Sequence, residues 1–276
     1  MRVIITADDY GMCHIVDEAI DAGIKNNFIS STNVMVNMET FHNAYDLRKK
    51  FPHISVGIHF NVTTGRSILS REEIPTLIRK DGTFYPVGDF KRRFAKGLIK
   101  ECDLEKELCA QYELFKDACG DADYWNTHEN SSLSIRTFPV FAKVAKKYSI
   151  AATRTFQRVY YDKINLGTKQ TIREFLVKNF FELWFTRIRK QFKMPNARIA
   201  SFNKISKTEG NILVDALIKS KKDLIEVVFH PATDSEHECF GNISTERVKE
   251  YNYTSSSDTL KKYKEYGIEI ANFKAL

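Results

Sequence analysis

Short β-branched or apolar runs alternate with stretches of helical period along most of this 276-residue chain. Arg2–Ala7 is a strand-like run that ends in acids, and Cys13–Asn27 sets Ile15, Val16, Ala19, Ile20 and Ile24 at the spacing of one helix face. The pattern then predicts a strand over Ser31–Val36, a helix over Thr40–Phe51 and a strand over Ile54–Val62. Between residues 64 and 88 the rhythm breaks at Pro75, Pro86 and the turn dipeptide Asp81-Gly82. It resumes with a helix from Leu104 to Ala118, a short strand over Tyr124–Thr127, a helix over Arg136–Tyr148 and a strand over Ile150–Arg154. After a basic stretch come a helix over Glu209–Ser220, a strand over Leu224–Phe229, a mostly helical region from Glu246 to Tyr266 and a closing strand over Ile268–Phe273. Alternation of this kind implies a mainly parallel sheet. About seven strands predict an α/β fold, an irregular TIM-like (β/α) barrel, as a single domain over residues 1–276 with insertions at about 64–120 and 156–204. An open doubly wound sheet is the structural competitor. The first loop, Ala7–Met12, holds no G-x-G-x-x-G, and no Walker A sequence occurs, so nucleotide binding through those loops gains no support.

Polar residues interrupt the apolar pattern at strand ends. Asp8 and Asp9 follow the first strand, and His59 and Asn61 end the third. Thr127, His128 and Glu129 end the short strand near 125, while Glu226 and His230 lie within and just after the strand at 224–229. In a parallel β/α architecture these ends share one face, where residues distant in sequence converge. An aspartate with two histidines suits a divalent metal, a second aspartate a general base, and a further histidine a proton donor. Each feature alone has a plainer reading: two aspartates after a strand can cap a helix, and a histidine in an apolar strand can be a hydrogen-bonded core residue. Four such interruptions at corresponding strand ends favour a site. His14, His42, His53 and His237 fall in helical or loop contexts and read as surface or structural.

The segments ITADDYGM (5–12), SSTNVMVNM (30–38), VGIHFNVTTGRSI (56–68), DGTF (81–84), NTHENS (126–131), the Arg154 region and EVVFHPA (226–232) together resemble the YdjC-like carbohydrate deacetylases. The resemblance runs in order over nearly the whole chain and is thinnest in the basic stretch. It implies a β/α-barrel-like fold and metal-dependent removal of an acetyl group from an N-acetylated sugar of N-acetylglucosamine type, with Mg or Zn as the ion. By position it makes Asp9, His59 and His128 the metal ligands, Asp8 the general base and His230 the general acid. Arg154 aligns with a family arginine near the site, and it is assigned to the substrate together with Asn61 and Tyr10. Glu226 shares a strand face with His230 and is assigned to orient it. The resemblance departs after His128: Asn130 stands where the family has an acid, and Ser132 and Ser134 where histidines are usual. That bears on the groups around the ligands and so on rate, metal and substrate. Tyr10, Phe60, Phe84, Tyr85 and Trp125 are candidates for a sugar-stacking floor, although as aromatics they serve equally as core.

Composition narrows the picture further. Hydrophobic residues make up 43% and charged residues 28%, a globular balance. No apolar run approaches the roughly 20 residues of a membrane span. Two acids interrupt the N-terminus where a signal peptide needs apolar residues, and five cysteines without a CxxC pair fit a reducing cytoplasm better than a disulfide framework. The net charge of +7 is local: residues 156–204 hold 11 Lys/Arg against 3 Asp/Glu. Within them the stretch at 174–193 reads as a basic, aromatic amphipathic helix. It suits packing on the barrel, a lid, a homodimer surface, or peripheral contact with an anionic membrane. No nucleic-acid motif accompanies the charge. The reading from another class is a catalytically degenerate sugar- or membrane-binding protein; a further enzyme reading is a hydrolase of another amide or ester.

Overall fold

The computed structural model describes residues 1–157, 188, 190–200, 210–237, 240 and 244–276. Most of the basic stretch at 174–193 lies outside the described residues. At its described end Ile188 and Phe192 are buried, with Phe192 edge-on to Trp125.

The strands are β1 (Arg2–Tyr10), β2 (Ser31–Val34), β3 (Ser55–Phe60), β4 (Trp125–Thr127), β5 (Ala197–Ala200), β6 (Leu224–Phe229) and β7 (Glu269–Ala271). They form one parallel sheet in the order β4-β3-β2-β1-β6-β5, with β7 on the start of β1. Backbone hydrogen bonds carry the sheet on from β4: Trp125 donates to Ala152, Thr153 to Lys193, and Arg198 to Gln157. The segment at 151–157 thus bridges the two ends of the strand order, and the sheet curls into an irregular TIM-like barrel. Residues 150–154, expected as a strand, form only isolated bridges at Ala152 and Thr153.

The helices are α1 (His14–Lys25), α2 (Leu47–Lys50), α3 (Val87–Ala95), α4 (Glu101–Cys119), α5 (Phe138–Lys147), α6 (Gly210–Ser220), α7 (Ser244–Thr254) and α8 (Ser257–Glu265). The helix expected over 40–51 is a 3-10 turn at Phe41–Asp46 followed by the single turn of α2. The helical region after 246 is two helices, broken at residues 255–256. Neither α3 nor β5 was legible in the periodicity, since each is short and set in polar surroundings.

Side-chain alternation explains how this fold makes a site. Val3, Ile5 and Ala7 of β1 join the large core under the helices, while Ile4 joins Tyr124, Ala152, Leu224 and Phe273 in a separate small cluster. That small cluster plugs the lower end of the barrel, where Phe273 stacks on Tyr124 at 3.7 Å. Stepping up the inward parity from each strand leads to a polar residue: Asp8, Asn33, His59, Asn126, Arg154, Arg198 and Glu226, all buried. The barrel interior is apolar at one end and polar at the C-terminal mouth.

Candidate active site

Asp8 and Asp9 are consecutive, and in a regular strand they would face opposite sides. The pairing of β1 with β2 shifts register between Ala7 and Tyr10, and Asp9 has a left-handed φ of +76°. This irregularity turns both carboxylates into the mouth. Aspartate tolerates that conformation better than most residues, at a cost of about 1 kcal/mol. Gly11 completes the turn at φ +90°, where a Cβ would meet the Met35 carbonyl oxygen at 2.9 Å.

Asp9 Oδ1 lies 3.2 Å from His59 Nε2 and 3.0 Å from His128 Nδ1. One ligand atom from each of Asp9, His59 and His128 falls within 4.8 Å of the others, the one cluster of this kind among the described residues. Asp9 Oδ2 instead accepts a bond from Arg247 Nη2 at 2.7 Å. Burial works against ionisation of Asp9, but His128 and Arg247 outweigh it and hold the carboxyl well below its ordinary range. Burial likewise opposes a charged His128, and Asp9 overcomes it, raising the imidazole above its ordinary value.

His59 is oriented from behind. Its Nδ1 meets Asn126 Oδ1 at 2.5 Å, and Asn126 Nδ2 points to Asp8 Oδ1 at 3.4 Å. Turning the amide over would set its oxygen against a carboxylate, so Asn126 accepts from Nδ1–H and the Nε2 lone pair faces Asp9. Two imidazole nitrogens and one carboxylate oxygen fit a divalent cation.

Asp8 is held differently. Arg154 grips it in a fork, Nη1 to Oδ2 and Nη2 to Oδ1, both at 2.7 Å, and Asn33 Nδ2 donates to Oδ1 at 2.6 Å. Burial would raise its pKa, but the Arg154 charge prevails and the carboxyl stays well below its ordinary range. Arg154 also donates from Nε and Nη2 to Glu226 Oε1 at 3.0 and 2.8 Å. Glu226 therefore reaches Asp8 through Arg154. His230 Nε2 stands 3.5 Å from Asp8 Oδ2, and burial lowers its pKa, leaving a neutral ring at neutral pH.

The remaining expected site residues lie outside this cluster. Tyr10, Phe60, Phe84 and Trp125 are buried within the main core, whereas Tyr85 is partly exposed beneath Arg93. Asn61 folds the loop after β3, bonding Asn37 and the backbone of Thr63 and Thr64. Asn130 Oδ1 accepts from Arg198 at 2.9 Å, Ser132 bonds Thr127 and Ser134 bonds Thr137, and the Asp9–His59–His128 cluster is assembled without the three. Asn33, Asn126, Arg198, Arg247 and Glu250 were missed. Asn33, Asn126 and Arg198 do leave a signal, a polar residue at inward parity in an apolar strand. Arg247 and Glu250 sit among the other charges of a polar helix and leave none.

The YdjC-like protein family matches residues 2–265, nearly the whole chain. The chain belongs to that family. Two relatives that match over their full length are named carbohydrate deacetylases: one from Clostridium beijerinckii, 27% identical over 278 residues and covering 99% of both chains, and one from Listeria monocytogenes, 26% identical over 282 residues and all of both chains. A crystal structure from Enterococcus faecalis V583, of a protein named for cellobiose-phosphate cleavage, superposes with a TM-score of 0.79 at 21% identity, over 99% of this chain and 98% of that one. The likeness shows a shared fold.

Proposed function

We propose that this YdjC-like protein is a metal-dependent carbohydrate N-deacetylase that hydrolyses the acetamide of an N-acetylglucosamine-type oligosaccharide or glycoconjugate to acetate and a free amine. The observation that carries the reading is the meeting of Asp9, His59 and His128 within 4.8 Å, beside a carboxylate and an imidazole, Asp8 and His230, 3.5 Å apart. The names of the two full-length relatives support the substrate class.

Asp9, His59 and His128 would hold the ion, Mg or Zn. A divalent ion there supplies Lewis-acid polarisation of the acetamide carbonyl and eases deprotonation of water. The proton traffic falls to the chain. Asp8 is ionised and takes a proton from the attacking water through Oδ2, the oxygen facing His230. Arg154 keeps Asp8 a weak base, and what it returns is a fixed orientation. Neutral His230 receives that proton across the gap to Asp8 and delivers it to the amine nitrogen as the C–N bond breaks. Glu226 and Asn33 hold Arg154 and Asp8 in place.

Metal analysis of the purified protein, coupled to acetate release from a panel of N-acetylglucosamine compounds, tests the reading. Release is expected only with a divalent ion present, and an Asp8→Asn, His230→Ala double variant should lose roughly 10³-fold or more. Undiminished release by the double variant removes the acid–base roles. Binding of panel compounds without turnover at any added metal removes the activity and favours a sugar-binding protein.

A further inference from the structure

Arg247 lies on α7, is 2% exposed, and meets the candidate metal centre from the side opposite the histidines. Its Nη2 donates to Asp9 Oδ2 at 2.7 Å, while Nε and Nη1 are buried without a hydrogen-bond partner among the described residues. Its guanidinium carbon lies 4.6 Å from the Phe240 ring centroid. Among the described residues Asp9 is the one carboxylate that pairs with it, and such a pair is a poor way to stabilise a fold, since desolvation offsets much of the attraction and an apolar side chain often serves as well. The same helix also supports the other half of the site. The Arg247 carbonyl accepts from the Ala232 N–H at 3.2 Å, and the Glu250 carboxylate accepts from the His230 N–H.

The two oxygens of Asp9 are thereby divided. Oδ1 faces His59 and His128, and Oδ2 is taken by Arg247. We propose that Arg247 is a positioning residue that restricts Asp9 to donation through one oxygen and, by its charge, weakens the hold of the Asp9–His59–His128 site on a divalent cation. This rests on the metal reading given above. Two positive charges on opposite oxygens of one buried carboxylate repel strongly because little water screens them. Freeing the carboxylate forfeits only the ordering of one short side chain, a smaller effect. Charge therefore decides the sign, and removing Arg247 tightens metal binding. The site keeps an exchangeable ion whose charge is less neutralised by Asp9.

The test is titration of Zn²⁺, against a competing chelator, into metal-free wild type, Arg247→Met and Arg247→Lys, with melting of each metal-free protein alongside. Arg247→Met is expected to bind Zn²⁺ roughly tenfold or more tightly than wild type, because a like charge beside the ion is removed. Arg247→Lys, which retains the charge, stays within about threefold. A purely structural role gives the opposite sign, looser binding with a lowered melting temperature. Equal or weaker Zn²⁺ binding by a folded Arg247→Met overturns the proposal, as does equal tightening in Arg247→Lys. If Arg247→Met does not fold, Arg247→Gln carries the same comparison. A wild type that binds no Zn²⁺ overturns the metal reading along with this one, whereas wild-type binding that Arg247 variants leave unchanged overturns this inference alone.

Discussion

Asn126 controls the proton on His59, and with it the nitrogen that faces Asp9. Its carbonyl oxygen accepts from Nδ1 while its amide nitrogen is turned toward Asp8. One short side chain thus couples the candidate ligand set to the candidate base. Truncation in Asn126→Ala leaves both tautomers of His59 accessible and is expected to weaken Zn²⁺ affinity by about 10–100-fold. The half-saturating Zn²⁺ concentration measures this, and an affinity within about twofold of wild type would refute the role. Glu129 and Asn130, directly after His128, hold left-handed φ values of +51° and +52°. Backbone strain of this kind next to His128, as at Asp9, is where a binding site is expected to store it.

The junction of β1 and α1 carries its own electrostatic device. Asp17 on α1 accepts from the Gly11 N–H at 2.7 Å and from Asn43 Nδ2 at 2.9 Å, which ties the turn after Asp9 to the helix. Burial pushes its carboxyl up from 3.8 to about 6, against the lowering effect of those bonds. The folded protein then binds the Asp17 proton more tightly than the unfolded chain does. Stability from this group is present below about pH 4 and is lost as pH rises toward 6. The loss amounts to about 3 kcal/mol at most. Urea unfolding of wild type and Asp17→Asn at pH 4, 5, 6 and 7 should show the variant gaining relative to wild type across that window. A pH-independent difference would exclude Asp17 as the titrating group. Glu107 of α4 plays a related part on the other side of the mouth, where it accepts from the backbone of Ile68 and Leu69 and anchors the loop after β3.

Across the molecule the barrel divides into a closed apolar end and an open polar one. Phe273, brought back by the last strand, stacks on Tyr124, and the Tyr124 hydroxyl lies 3.4 Å from Asn33 Nδ2, which also donates to Asp8. The plug is therefore the floor beneath the site. Phe273→Ala should cost about 3–5 kcal/mol through the cavity it leaves. At the size of this chain that is a fall in melting temperature on the order of 10 °C. Zn²⁺ affinity should hardly change, because the cavity opens below Tyr124 and not beside His59. A melting temperature within about 2 °C of wild type would mean the lower cluster contributes nothing to stability.

The strand–helix alternation, the parallel sheet and the strand-end positions of Asp9, His59 and His128 were legible in the sequence, because hydrophobic period and local polarity are properties of neighbouring residues. So was the separation of the basic stretch from the near-neutral remainder. Other features were not. That Asp8 and Asp9 face one mouth depends on a shifted register and a left-handed residue, and alternation alone would send them to opposite sides. That Glu226 acts on Arg154, and that Tyr10 is core, depends on which side chains fill the barrel. The pairing of Asp9 with Arg247 joins residues 238 positions apart. No local pattern marks one charged residue of a polar helix as buried; only closure of the barrel removes it from water and sets it against the Asp9 carboxylate.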